Sequence, residues 1–161
     1  MKIALRLWLV LLMSASLIAC GFHLRGAADI TFSSIHLQGS TLIISKNLKK
    51  MLTLNGVKVL DSAENAELLL ELVGEENEKR ILSLSGSGKV NEFELYYRVH
   101  YRTRLAGDAL WSQVQTVEAR RDYSYSDTEL LAKQGEEKRL NEDMQNSVLN
   151  NLIRRLSALK K

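Results

Sequence analysis

The side chains of this chain that could do chemistry are few and far apart. Its 3 histidines, His23, His36 and His100, include no pair at the HxH or HExxH spacing that brings two imidazoles to one metal ion. With 1 cysteine, Cys20, there is no internal disulfide and no cysteine-rich zinc site. No GxSxG, Walker A or GxGxxG element occurs. Gly86-Ser87-Gly88 lacks the following helix and the Lys-Ser/Thr of a phosphate loop, so it reads as a turn. The acidic pairs Glu75-Glu76 and Glu136-Glu137 fall in polar segments and read as solvated surface. No active site is nominated, and a binding or structural role without catalysis or a resident cofactor is expected.

What remains is a set of cations. Arg98, His100, Arg102 and Arg104 alternate with apolar residues from Tyr97 to Leu105, so on a strand they share one face with Tyr96, neighbours lying about 6.6–6.8 Å apart. Lys133, Lys138 and Arg139 cluster near the start of the last helical segment, and Lys79, Arg80 and Lys89 flank a hairpin. Two readings stay open. The stripe is a solvated face whose charges discourage edge pairing, or a surface for an anionic group such as phosphate, which arginine holds in bidentate geometry. Candidate ligand contacts are therefore Lys89, Arg98, Arg102, Lys133, Lys138 and Arg139. Nucleic acid is a poor partner for a chain with 22 basic and 19 acidic residues.

Cys20 has a more specific context. Met1 to Ala19 opens with Lys2 and Arg6, continues through the apolar run Leu7–Met13, and ends in small and aliphatic residues, the layout of a secretory signal peptide too short to span a bilayer well. Leu17-Ile18-Ala19-Cys20 resembles the bacterial lipobox, in which the cysteine sulfur takes a diacylglycerol, the leader is cut before it, and the new amine is acylated. The alternative is a buried free cysteine behind an ordinary leader. Each acyl CH₂ contributes about 0.8 kcal/mol of membrane affinity, so two or three chains anchor stably where one does not. Residue 21 is glycine rather than the aspartate that commonly retains such lipoproteins at the inner membrane, which implies the outer membrane. Loss of the leader removes Lys2 and Arg6 and no acid, leaving 20 basic against 19 acidic side chains.

These residues need a frame. With 161 residues, 45% hydrophobic and 25% charged, and with no proline, the chain suits one compact domain without a stiff linker. The expected boundaries are a leader over 1–19, a tether over 20–31 and a single domain over 32–161. Phe32–Gln38 reads as a strand closed by Gly39. Ile44, Leu48, Met51 and Leu52 form a helical stripe, with Ser40 or Thr41 as start cap and Gly56 as left-handed end. Val57–Leu60 is a second strand. Leu68–Val73 and Ile81–Ser85 make either one long strand bulged near Gly74 or two pieces. Asn91–Leu105 alternates most cleanly, and Leu110 to about Tyr125 reads as a returning strand with a slip between Val114 and Val117. Leu140, Met144, Val148, Leu152, Leu156 and Leu159 mark a long helix beginning at Asp127 or Thr128, or only at Glu136, because Gly135 interrupts it. The sum is an α+β two-layer sandwich: a mixed sheet of four or slightly more strands with two helices on one face.

Cys20-Gly21-Phe22-His23-Leu24-Arg25 after a lipobox resembles the Cys-Gly-aromatic-His-Leu-Arg start of the LPS-assembly lipoproteins (LptE, formerly RlpB). The likeness continues through Leu54-Asn55-Gly56-Val57, Asn91-Glu92-Phe93, Leu131-Ala132-Lys133 and Met144–Leu156. The resemblance implies a lipoprotein of the cell outer membrane, periplasm-facing and lodged in the lumen of a large β-barrel (LptD). As plug and assembly partner of that barrel it would bind lipopolysaccharide and help insert it. It further implies that basic residues at the exposed end of the domain contact the ligand, and Lys133 falls on such a position. The hairpin before the long strand departs from the family pattern: Gly86–Gly88 stands where an arginine can occur, and Lys89 is the nearest cation. The alternative is a free-standing lipoprotein that binds an anionic envelope ligand with no barrel.

Overall fold

A computed structural model describes residues 30–159; the leader, Cys20 and the Cys-Gly-Phe-His-Leu-Arg segment lie outside the described residues. The elements run β1 (Ser34–Gly39), α1 (Ser45–Leu54), β2 (Lys58–Leu60), β3 (Leu68–Leu84), β4 (Val90–Leu105), β5 (Gln115–Ser124), a 3-10 turn (Asp127–Glu129) and α2 (Leu130–Ser157). They build one five-stranded sheet in the order β2-β1-β3-β4-β5. β1 is parallel to β2, as the crossover helix between them requires, and also to β3, while β3, β4 and β5 form an antiparallel meander. The expected mixed α+β sandwich is what forms.

One core joins the two layers. Leu68, Leu70 and Leu72 of β3 and Leu95, Tyr97, Val99 and Tyr101 of β4 meet Leu48 and Leu52 of α1 and Met144, Val148, Leu152 and Leu156 of α2. The buried positions of α2 all lie in its second half; Leu130 and Leu131 in its first turn are exposed. Residues 30–39 tie the chain's entry to its exit: Ile30 packs on the core and the Thr31 hydroxyl donates to the Leu159 carbonyl at 2.9 Å. This defines a near end, where β1 starts, β4 finishes and α2 terminates. The β3–β4 hairpin and the first turns of α2 form the far end.

Three expectations need correction. Neither Ser40 nor Thr41 caps α1. The helix starts later, behind Ile44 and without a side-chain cap; just before it the Leu42 amide donates to Ser45 Oγ at 2.9 Å and the Ile43 amide to Glu75 Oε1 at 2.9 Å, so a carboxylate from β3 holds the approach to the helix. The segment Leu110–Val114 is not strand. It folds back on β4, where Ser112 N donates to the Thr103 carbonyl at 2.8 Å and Ser112 Oγ accepts from Thr103 N at 3.0 Å. Gly135 does not delay the last helix, which runs through it from Leu130.

β3 is one strand with a bulge, and the bulge decides which side chains face the helices. Register jumps from Leu72↔Tyr101 to Gly74↔His100, leaving Val73 unpaired. Before it, even-numbered residues face the core; after it, the odd ones do, because a single extra residue inverts the alternation. Glu75, Asn77 and Lys79 therefore lie on the helix side, and Glu76, Glu78 and Arg80 on the open side.

Candidate functional site

On the open face the arginine stripe is not bare. The register sets Glu76 and Glu118 on either side of Arg98, and Glu71 beside Arg102. Arg98 Nη1 donates to Glu78 at 3.1 Å and Glu76 at 3.4 Å, and its Nε to Glu118. Arg102 Nε donates to Glu71 at 2.6 Å, and Arg120 pairs with Glu94. The Tyr96 ring lies among three guanidiniums, Arg98 at 4.6 Å, Arg80 at 4.9 Å and Arg120 at 5.8 Å. The carboxylates hold the Arg98 guanidinium above its ordinary pKa, Glu118 most strongly, and Arg80 foremost holds Glu78 below its own. His100 bridges Thr116 at 2.8 Å and Glu76 at 3.3 Å. Chemically this is a self-neutralised polar face suited to a wet surface. Arg98 and Arg102 serve it as crosslinks.

At the far end, Lys133 is mostly buried: its ammonium donates to Ser124 Oγ at 3.0 Å and Glu136 Oε2 at 2.9 Å, stapling the start of α2 to the end of β5. Next to it, Glu137 Oε2 accepts from Lys79 Nζ at 2.6 Å and from the Tyr123 hydroxyl at 2.6 Å. Burial works to raise the Glu137 pKa, but these two donors outweigh it and hold the carboxyl below the ordinary glutamate value. Lys79 in turn lies 4.1 Å from the Phe93 ring centre. Lys89, Lys138 and Arg139 are exposed and pair with no carboxylate among the described residues. Lys138 borders a shallow polar cleft with Asn77, Gln134, Glu137 and Asn141.

The six candidate cations thus fall into two groups. Arg98 and Arg102 lie on the open face, one at mid-sheet and the other towards the near end. Lys89, Lys133, Lys138 and Arg139 gather towards the far end. Sequence reasoning missed the apolar companions of the second group: Ile81, Leu82 and Leu84 on the hairpin and Leu130 and Leu131 on α2 are all exposed, Leu131 by 83%. Their signal was the break of alternation at Ile81-Leu82, where a second register shift frees Leu82. Among the described residues no group of three or more His, Cys, Asp or Glu converges as a metal site, and no helix is long and apolar enough to cross a membrane.

Known proteins share this architecture. The solution structure of an uncharacterized lipoprotein B from Nitrosomonas europaea superposes with a TM-score of 0.74 at 36% identity, covering 86% of this chain and 91% of that one. The crystal structure of the rare lipoprotein B from Shewanella oneidensis gives 0.70 at 28% identity, covering 78% and 94%. The LPS-assembly lipoprotein LptE of Photorhabdus laumondii is 26% identical over 143 residues, 85% of this chain and 76% of that protein. The LptE family model, described as lipopolysaccharide-assembly, matches residues 32–156, from two residues before β1 to the last buried leucine of α2. With its whole sheet, α1 and all but the last residue of α2 inside that match, the chain belongs to the LptE family of lipopolysaccharide-assembly lipoproteins, whose role is not enzymatic.

Proposed function

We propose that the chain is an outer-membrane lipoprotein, anchored by lipid on Cys20, that binds lipopolysaccharide through its far end and acts as plug and assembly partner of an LptD-type β-barrel. The observation that carries this reading is the far end itself. Unpaired Lys89, Lys138 and Arg139 stand near exposed Ile81, Leu82, Leu84, Leu130 and Leu131. Cations beside apolar side chains match a phosphorylated, acylated glycolipid, whose phosphates accept charge-assisted hydrogen bonds and whose chains need apolar cover. A nearly neutral protein suffices for this, because the contact is local.

Dimensions support the plug. At strand rise the 17 residues of β3 extend about 55 Å, more than the roughly 40–45 Å of a bilayer with its headgroups. An anchor at the near end and a ligand surface at the far end are therefore separated by enough length to serve opposite leaflets. The open face, with most of its charges paired internally, suits the polar wall of a water-filled barrel.

Two measurements test the reading. Gentle solubilisation of outer membranes and capture of the tagged lipoprotein should bring down a large, heat-modifiable barrel. A solitary lipoprotein would favour the free-standing alternative. The combined change Lys89→Glu, Lys138→Glu and Arg139→Glu should weaken lipopolysaccharide binding by about tenfold or more, the equivalent of one lost charge-assisted hydrogen bond of about 1.5 kcal/mol. Arg98→Gln should leave binding unchanged. Equal losses from both would sink the assignment to the far end.

A further inference from the structure

The near end carries an apolar projection of its own, on the opposite side of the sheet from the helices. The β4–β5 connection folds back over the open face so that the Trp111 ring lies 5.1 Å from the Arg102 guanidinium and 5.3 Å from that of Arg104. On either side of it Leu110 is 81% and Val114 53% exposed. Arg104 differs from the other arginines of this face. Its Nε is buried without a hydrogen-bond partner, and among the described residues it pairs with no carboxylate.

Position says what this projection meets. Arg104 shares a register row with Leu69 and His36, one step from the row of Ile35 and Leu68 where β1 begins. Thr31 is fastened to Leu159 at the same end. Residues 20–29 separate Cys20 from the first described residue, and ten residues of extended chain reach at most about 35 Å. A lipid on Cys20 thus holds the 110–114 loop within one short tether of the leaflet that takes the acyl chains, while the far end stays about 55 Å away.

We propose that the loop 110–114, together with Arg104, docks on the phospholipid headgroup layer of the leaflet that holds the anchor. Leu110 and Val114 enter the acyl boundary. Trp111 lies at headgroup depth, where its amphipathic ring is most stable, and Arg104 offers its unpaired guanidinium to a lipid phosphate. Such a contact is too small to bind a membrane by itself; the anchor supplies proximity, and the loop fixes orientation. The proposal rests on the lipid at Cys20 proposed above.

Removal of the leader takes Trp8 and leaves Trp111 as the single tryptophan of the 2 in the sequence, so fluorescence reads this loop alone. The acylated mature protein is reconstituted into phosphatidylethanolamine and phosphatidylglycerol vesicles whose acyl chains carry bromine. Trp111 emission should shift to the blue, be quenched by the bromolipid, and lose about two-thirds of its iodide quenching relative to the unacylated mature chain in buffer. Leu110→Asp, at an 81% exposed position, should undo these changes while the protein stays folded. Iodide quenching equal in vesicles and buffer overturns the proposal, as does shielding that appears only when a barrel partner is added. Mass spectrometry of the Cys20 peptide separates the two readings. An acylated chain with exposed Trp111 refutes docking and keeps the anchor, whereas an unacylated chain refutes the anchor and, with it, the docking that depends on it.

Discussion

A guanidinium that already holds Glu76, Glu78 and Glu118 has two of its three nitrogens occupied, which is why Arg98 stabilises the sheet rather than standing open to a phosphate. The same lesson applies to Lys133, held by Ser124 and Glu136, and it separates those residues from Lys89, Lys138 and Arg139. None of this was legible from spacing. The alternation of Asn91–Leu105 revealed correctly that arginines share a face, but Glu76 and Glu78 reach that face only because of the bulge in β3, and Glu118 only through the pairing of β4 with β5. Gly39 shows the reverse, a residue whose role follows from its type. It closes β1 at φ +92, and a β-carbon there would sit 2.3 Å from the Leu72 carbonyl oxygen. Gly39→Ala should therefore cost about 2 kcal/mol or more, seen as a lower urea midpoint. Gly88→Ala shares the positive φ but has open space around it, and should cost less.

At the scale of elements, α2 is two helices in one. From Met144 onward it is held by buried apolar side chains; before that, by polar links to β3 and β5 through Glu137, Lys133, Asn141 and Asp143. Glu137 makes the first half sensitive to acid. Its folded pKa lies below the unfolded one, so its contribution is present above the ordinary glutamate range and is lost as pH falls through the folded value. Glu137→Gln should lower stability by about 1 kcal/mol near pH 7. It should also flatten the decline between about pH 5 and pH 3, where unaltered protein loses the same increment. Denaturation at both pH values checks this, and parallel pH profiles would show that the carboxylate contributes nothing special. Leu110–Val114 marks the limit of pattern reading at this scale. Leu110, Ser112 and Val114 could share one face of a strand, but Ser112's bonds to Thr103 fold the segment back instead.

For the molecule as a whole, the open sheet presents two edges. One is the three-residue β2, too short to template much. The other, β5, is blunted by charge. Its outward carbonyls at Thr116 and Arg120 accept from Arg155 at 3.0 Å and Arg121 at 2.7 Å, and Glu118, Arg120 and Asp122 line it. Arg155→Ala should change stability by no more than about 0.5 kcal/mol, yet promote edge-to-edge association visible by size-exclusion chromatography. An unchanged elution profile would show that the charged side chains alone protect the edge. The patterning of the sequence made the two layers legible, because apolar periodicity reports burial. The strand order, the parallel pairing of β1 with β3 and the near-to-far polarity rest on contacts between distant segments, which no local pattern encodes.

The confinement of buried helix positions to the near half of α2 has a consequence for motion. Local opening is least costly where backbone hydrogen bonds are backed by exposed or polar contacts and most costly where they are backed by a dry core. Breathing should thus be graded along the long axis, slight beside the tether and largest at the hairpin and first helical turns. The surface proposed above to meet a bulky, heterogeneous glycolipid would then be the part of the fold that can rearrange around successive molecules while the opposite end keeps its shape.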